Sequence, residues 1–329
     1  MSNAPIKTLS EALNADMDAV NDCIRARMQS DVPLIPKLAD YLISSGGKRI
    51  RPLMTLACTA IYGGEMKRAH TLAAAVEFIH SATLLHDDVV DESLERRGKK
   101  TANLVFGNQA SVLVGDFLFS RAFQLMTEDD SMQVLRILSH ASAIIAEGEV
   151  LQLTHKGDMA TNMDHYIAII KAKTAALFAA ACEVSPVIAG ADDKAVQAMH
   201  DYGMYLGIAF QIADDALDYS ADQATLGKTV GDDFREGKLT APILIALKDA
   251  DAQEQAFWKR TLSMDDQKDG DLDTALEILK RHSALERSLD LAREYGQKAK
   301  DLMADAPDHA PGIKAAMIDL VDYSIERDR

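Results

Sequence analysis

Two short runs of this 329-residue sequence gather carboxylates at a spacing that suits a divalent cation: DDVVD, Asp87 to Asp91, and DDALD, Asp214 to Asp218. In a helix, residues i and i+4 share a face, so Asp87 projects with Asp91 and Asp214 with Asp218. Charges of like sign so placed repel, and the arrangement costs stability twice over unless a cation occupies it. Mg²⁺ seeks oxygen and is usually held by one or two carboxylates together with phosphate oxygens, which would turn both clusters into sites. A single run of this kind reads equally well as an acidic, solvated helix end. Two copies, each after an apolar helix that must be buried (FIHSATLLH before the first, LGIAFQIA before the second), weigh against that reading. His86 adjoins the first cluster without zinc spacing to other ligands and belongs behind the aspartates or in the packing. His80, seven residues before Asp87 and on roughly the same face, either fills a core position or donates a hydrogen bond to a phosphate.

Basic groups stand where they could complete such sites. GGKRIRP, Gly46 to Pro52, places Lys48, Arg49 and Arg51 beside a glycine pair, with Pro52 suited to a first helical turn. A helix N-terminus flanked by cations binds anions. Arg96 and Arg97 follow Asp91 by five and six residues, where guanidinium forks could grip a diphosphate. Lys173 and Thr174, and the glycine-punctuated GKTVGDDFREGK with Lys228 and Lys238, offer further donors. Taken singly, each would ordinarily be surface charge.

The elements that position these groups read as helices almost end to end. Ala, Leu, Ile and Met are abundant, aromatics reach only 5%, and the eight prolines stand singly, which suits an all-α architecture. Glycines punctuate short connections, and no low-complexity linker divides the chain. The expectation is therefore one domain over residues 1–329, with ten or more helices, the chemistry within 46–242 and charged, amphipathic outer helices over 250–329. Acids outnumber bases 51 to 35, a net charge of −16, which disfavours nucleic acid and an anionic membrane surface as partners. Cys23, Cys58 and Cys182 lie far apart and fit a reducing cytoplasm. The N-terminus lacks the basic start and apolar core of a signal peptide, and no apolar run approaches ~20 residues, so a soluble protein without an integral membrane segment is expected.

GGKRIRP, LLHDDVVDESLERRG, VGDFLFSRAF, KTAALF, FQIADDALDYS and GKTVGDDFREGKLTAP together resemble, in order, the motifs of the trans-isoprenyl diphosphate synthases, also called polyprenyl synthetases. The stretch from Phe78 to Met126 is most similar to the long-chain, octaprenyl-forming members. The resemblance implies a single-domain orthogonal helical bundle of the isoprenoid synthase type around a deep central cavity. It also implies a homodimer and three Mg²⁺ ions bridging both aspartate clusters and an allylic diphosphate. Carried over position by position, Asp87, Asp88, Asp91, Asp214, Asp215 and Asp218 are catalytic, with Asp87, Asp91 and Asp214 as metal ligands, and Lys173 acts with them. Lys48, Arg51, His80 and Arg97 match the isopentenyl diphosphate site. Arg96, Lys173, Thr174, Gln211, Lys228 and Lys238 match the allylic diphosphate site.

The implied prenyltransferase reaction is head-to-tail condensation of isopentenyl diphosphate with an allylic diphosphate: ionisation, condensation, then loss of a proton. In the resembling short-chain enzymes, bulky rings just before the first aspartate cluster close the cavity early. Here Ala82 and Thr83 are small, Val76 and Ile79 lie deeper, and Phe119, Phe123 and Met126, at helical spacings after Asp116, could wall the far end or simply be core. Burying a prenyl chain gains about 0.8 kcal/mol per CH₂, so an open tunnel favours elongation to about forty carbons, a quinone side-chain precursor. The alternatives are a farnesyl or geranylgeranyl diphosphate synthase, a terpene cyclase, a non-catalytic partner subunit of a prenyl synthase, and a plain helical scaffold. GGKRIRP and the second cluster speak against a cyclase, and the intact aspartates and basic groups speak against a non-catalytic subunit.

Overall fold

The computed structural model describes residues 4–44, 47–96, 98–155, 157–220, 230–264 and 266–326. Three positions with sequence-based roles, Gly46, Arg97 and Lys228, lie outside the described residues. Apolar residues recurring at helical spacing through most of the chain form α1 (Ala4–Ala12), α2 (Asn14–Arg27), α3 (Leu34–Ser44), α4 (Ile50–Tyr62) and α5 (Met66–Val90). After a two-residue hairpin, β1 (Glu95–Arg96) against β2 (Lys99–Lys100), come α6 (Ala102–Phe106), α7 (Asn108–Glu128), α8 (Met132–His155) and α9 (Met163–Ile170). A π turn over Lys171–Ala175 leads into α10 (Ala176–Ile188), followed by α11 (Asp193–Asp218). Shorter and outer helices follow over Asp232–Arg235, Ala241–Lys248, Ala252–Trp258, Asp271–Arg281, Ala284–Asp305 and Pro311–Glu326. The fold is all-α, as the helical spacing predicts, and no described helix is long and apolar enough to cross a membrane.

The two long helices α5 and α11 carry the aspartate clusters at their C-terminal ends. Asp91 caps α5, its N–H reaching the Asp87 carbonyl at 2.8 Å. Asp192 caps the start of α11 by accepting from the Ala195 N–H at 2.9 Å, and Asp218 ends the helix. Buried apolar side chains form one connected cluster from Ile6 to Ile325. The C-terminal third packs more deeply than its charged sequence suggests. The Ala284–Asp305 helix packs along α11 with Ala292, Gly296, Ala299 and Met303 buried at helical spacing, and the last helix brings Tyr323 against Lys48. Charge on the outer faces of these helices hides the apolar stripe beneath.

Helix α11 can approach the π turn and α10 because glycine stands at 203 and 207, four residues apart on one face. A Cβ at Gly203 would lie 2.4 Å from the Phe178 carbonyl oxygen, and one at Gly207 would lie 2.6 Å from the Ala175 Cα. Both neighbours are backbone and cannot swing aside. In an exposed helix, replacing Gly by Ala stabilises by up to ~1 kcal/mol. Here the overlap should reverse the sign, so Gly203→Ala should destabilise by about 1–3 kcal/mol and lower the urea midpoint. A midpoint at or above that of the unsubstituted protein would show that the helices are not held at this separation.

Candidate active site

A cavity of 420 Å³ opens between the ends of α5 and α11, lined by Asp91, Tyr166, Lys173, Thr174, Asp215 and Lys238 among others. The π turn sets two of these. Such turns shift the helical register by one residue and recur at functional sites. This one brings Lys173 to Glu149 at 2.8 Å and the Thr174 hydroxyl to Gln211 Oε1 at 2.8 Å. Gly148 permits it, since a Cβ there would stand 2.7 Å from that of Ala172. Gln211 in turn donates to Asp215 Oδ1 at 2.7 Å, and Tyr166 donates to Asp215 Oδ2 at 2.6 Å. Asp218 accepts the backbone N–H groups of Asp232 at 3.3 Å and Asp233 at 3.1 Å, tying the end of α11 to the next turn. Lys238 pairs with Glu236 and approaches Asp233 at 3.8 Å.

On the α5 side, Asp88 is buried and accepts from Arg96 Nε at 2.9 Å, so the β1–β2 hairpin is tied to the helix it follows. Arg96 also borders a smaller cavity of 60 Å³ with Arg49, Glu77, His80 and Lys100. In the basic segment, Arg49 takes a left-handed conformation, φ 49°, as the residue before α4, and is paired with Glu77. Lys48 reaches the Tyr323 hydroxyl at 2.6 Å, and Arg51 lies 4.4 Å over the Phe178 ring. Arg51 Nη1 is 3.2 Å from His80 Nε2. A guanidinium can only donate, so this bond requires a neutral His80 with Nε2 accepting. His86 stacks on Phe119, 6.1 Å between centroids, and fits only because position 115 is glycine, where a Cβ would lie 2.2 Å from its Nε2.

Of the groups suggested for chain length, Val76, Ile79, Ala82 and Met126 are fully buried. Thr83 is half-buried, its hydroxyl on the His80 carbonyl at 2.8 Å. Phe119 is partly buried, whereas Phe123 is 43% exposed and points out of the subunit. At roughly 100° per residue Phe123 lies about 60° around α7 from Met126, far enough to leave the buried face. The residue-based reading passed over Glu77, Glu149, Tyr166 and Tyr323. Tyr166 carried a readable signal, standing seven residues before Lys173 as His80 stands before Asp87. The others meet partners remote in sequence and carried none.

The electrostatics favour a cation. Burial, reinforced by Glu149 and Asp91 and opposed by Lys173 and Arg96, pushes Asp87 up to about 7. Burial also takes Asp215 to about 7 despite hydrogen bonds from Tyr166 and Gln211, and Asp218 to about 6 despite two backbone donors. Among the described residues no three carboxylate, imidazole or thiolate groups converge to hold an ion unaided. An all-oxygen donor set with charges left to balance fits Mg²⁺, which completes its shell with water and phosphate oxygens. A carboxyl whose folded-state value lies above its unfolded 3.8 costs stability increasingly as pH rises from the lower value through the upper. In EDTA, Asp87→Asn should therefore gain melting temperature over the unsubstituted protein as pH is raised from 4 to 7, with no further gain above. A difference independent of pH would mean that Asp87 is not strained by burial.

The chain matches the family model described as polyprenyl synthetase over residues 32–279. It is 45% identical to the octaprenyl diphosphate synthase of Escherichia coli (strain K12), over 98% of this chain and 99% of the relative. The crystal structure of a decaprenyl diphosphate synthase from Rhodobacter capsulatus superposes with a TM-score of 0.93 at 52% identity, covering 98% of this chain and 99% of that one. A polyprenyl synthase from Caulobacter crescentus CB15, complexed with calcium and isoprenyl diphosphate, matches with a TM-score of 0.93 at 50% identity, covering 98% of each chain. With matched family residues spanning most of its length and two aspartate clusters meeting at one cavity, the chain belongs to the polyprenyl synthetase family.

Proposed function

We propose that this enzyme condenses isopentenyl diphosphate head to tail with an allylic diphosphate and repeats the step to a long all-trans polyprenyl diphosphate. The observation that carries the reading is the meeting of Asp91 and Asp215, one from each cluster, with Lys173 and Lys238 around a single cavity. Mg²⁺ held by Asp87, Asp91 and Asp214 would supply Lewis acidity to the departing diphosphate. Lys173 and Lys238 hold that diphosphate by charge-assisted hydrogen bonds, and Thr174 and Gln211 fix its orientation. Arg96 and Lys228 are assigned to the same substrate. Lys48, Arg51, His80 and Arg97 take the second diphosphate, so that the isopentenyl double bond faces the allylic carbon, which is a proximity effect.

A cavity closed over both substrates would keep water from the carbocation. Loss of a proton to the released diphosphate regenerates an allylic diphosphate for the next round. A homodimer is supported by apolar side chains standing outward on α7, Leu113 at 67% and Phe123 at 43% exposure. Free Cys23, Cys58 and Cys182 fit a cytoplasmic setting.

Asp87→Ala and Asp214→Ala should each lower turnover by about 10²-fold or more with the fold intact, because each removes a ligand from the same leaving group. Near-normal condensation by either variant in saturating Mg²⁺ would sink the site assignment. Product length follows from the small side chains at 82 and 83 and from relatives named for eight- and ten-unit products. Chromatography should find chiefly products of about forty carbons, with Thr83→Phe or Ala82→Phe shifting them toward about fifteen or twenty, since a ring would overfill the channel proposed there. Wild-type products already that short, or variants of unchanged length, would remove the channel from beneath Asp87.

A further inference from the structure

Tyr166 is 3% exposed at a position where phenylalanine would fill nearly the same space, so its hydroxyl calls for a reason. That hydroxyl donates to Asp215 Oδ2 at 2.6 Å. The other carboxylate oxygen of Asp215 is held from the opposite side, through Gln211 at 2.7 Å and from Gln211 to Thr174 at 2.8 Å. Asp215 is thus gripped by two chains of hydrogen bonds. One comes from the π turn that carries Lys173. The other comes from Tyr166 on α9.

We propose that Tyr166 is a positioning residue for the second aspartate cluster: its hydroxyl fixes the Asp215 carboxylate and locks the end of α11 to α9, setting the pocket for the allylic diphosphate and its Mg²⁺. The proposal rests on the assignment of that cluster to the allylic side. A residue that only filled space would be replaced by phenylalanine without kinetic consequence. A residue that only stabilised the fold would, when changed, affect both substrates alike.

The test uses the full chain with Mg²⁺, an allylic diphosphate and isopentenyl diphosphate varied in turn. Tyr166→Phe should raise the Mg²⁺ dissociation constant, read by titration calorimetry without isopentenyl diphosphate so that no condensation occurs, and the allylic KM, each about tenfold, the effect of stranding one buried carboxylate oxygen. The isopentenyl KM should stay within about twofold. Tyr166→His keeps a ring with an N–H donor toward Asp215 and should move the same two constants in the same direction by less. It decides the matter if Tyr166→Phe does not fold. Because Tyr166 acts through Asp215, the double variant Tyr166→Phe/Asp215→Asn should be no worse than Asp215→Asn alone. Unchanged constants in Tyr166→Phe, equal damage to both KM values, or losses that multiply in the double variant would overturn the proposal. Asp214→Ala separates the two levels: if it keeps wild-type Mg²⁺ dependence, the reading of the cluster fails. If it is impaired while Tyr166→Phe is normal, only the role of Tyr166 fails.

Discussion

Carboxylates of like charge cannot be gathered in partly buried surroundings around one cavity without partners, and most of the local structure answers that repulsion. In a low-dielectric setting the interaction between such groups is several times stronger than in water. Asp88 is therefore paired with Arg96, Asp215 is held by Tyr166 and Gln211, and Asp218 is met by two backbone N–H groups. Asp87 has cations near it, Lys173 and Arg96, that do not offset its burial. What the protein leaves unbalanced, bound cations are suited to balance, so the cost of burying these carboxylates and their suitability for a cation have one cause.

The basic groups assigned to diphosphate binding already have neighbours. Lys173 is on Glu149, Lys48 on Tyr323, Arg51 on His80 and Arg96 on Asp88. Long flexible side chains lose up to ~2 kcal/mol of rotamer freedom when immobilised. Under that assignment, holding them in place before substrate arrives would reduce that loss at the moment of binding. The cost would be an exchange of partners, since a phosphate would compete with Glu149 or Tyr323 for the same protons. Electrostatic preorganisation of this kind favours groups that need move only slightly.

Such positioning depends on close backbone approach. Gly148 admits the π turn to α8, and Gly203 and Gly207 admit the π turn and α10 to α11. Larger side chains at these points would push Lys173 and Thr174 away from Gln211 and Asp215. The same constraint explains Gly115 on α7, which makes room for His86 directly behind Asp87. Small residues thus determine where the charged ones stand, although they make none of the polar contacts themselves.

The sequence by itself determined the helices, the two aspartate clusters and their pairing on helix faces, because these follow from a period of about 3.6 residues. It also made Lys173, Thr174, Gln211 and Lys238 visible as donors through their motifs, and placed His80 two turns before Asp87. Which residue each donor meets was decided only in three dimensions. Glu149 precedes Lys173 by 24 residues, and Tyr323 follows Lys48 by 275. Such pairs have no local period to betray them, since helix packing alone sets the distances between remote segments. Phe123 illustrates the same limit: helical spacing fixes its angle relative to Phe119 and Met126, but whether that angle faces the core depends on neighbouring helices. The depth at which the outer helices pack was hidden for a related reason. Their charged faces dominate the composition, while a stripe of Ala, Gly and Met, legible only once α11 lies against it, carries the packing that brings Tyr323 to the basic segment.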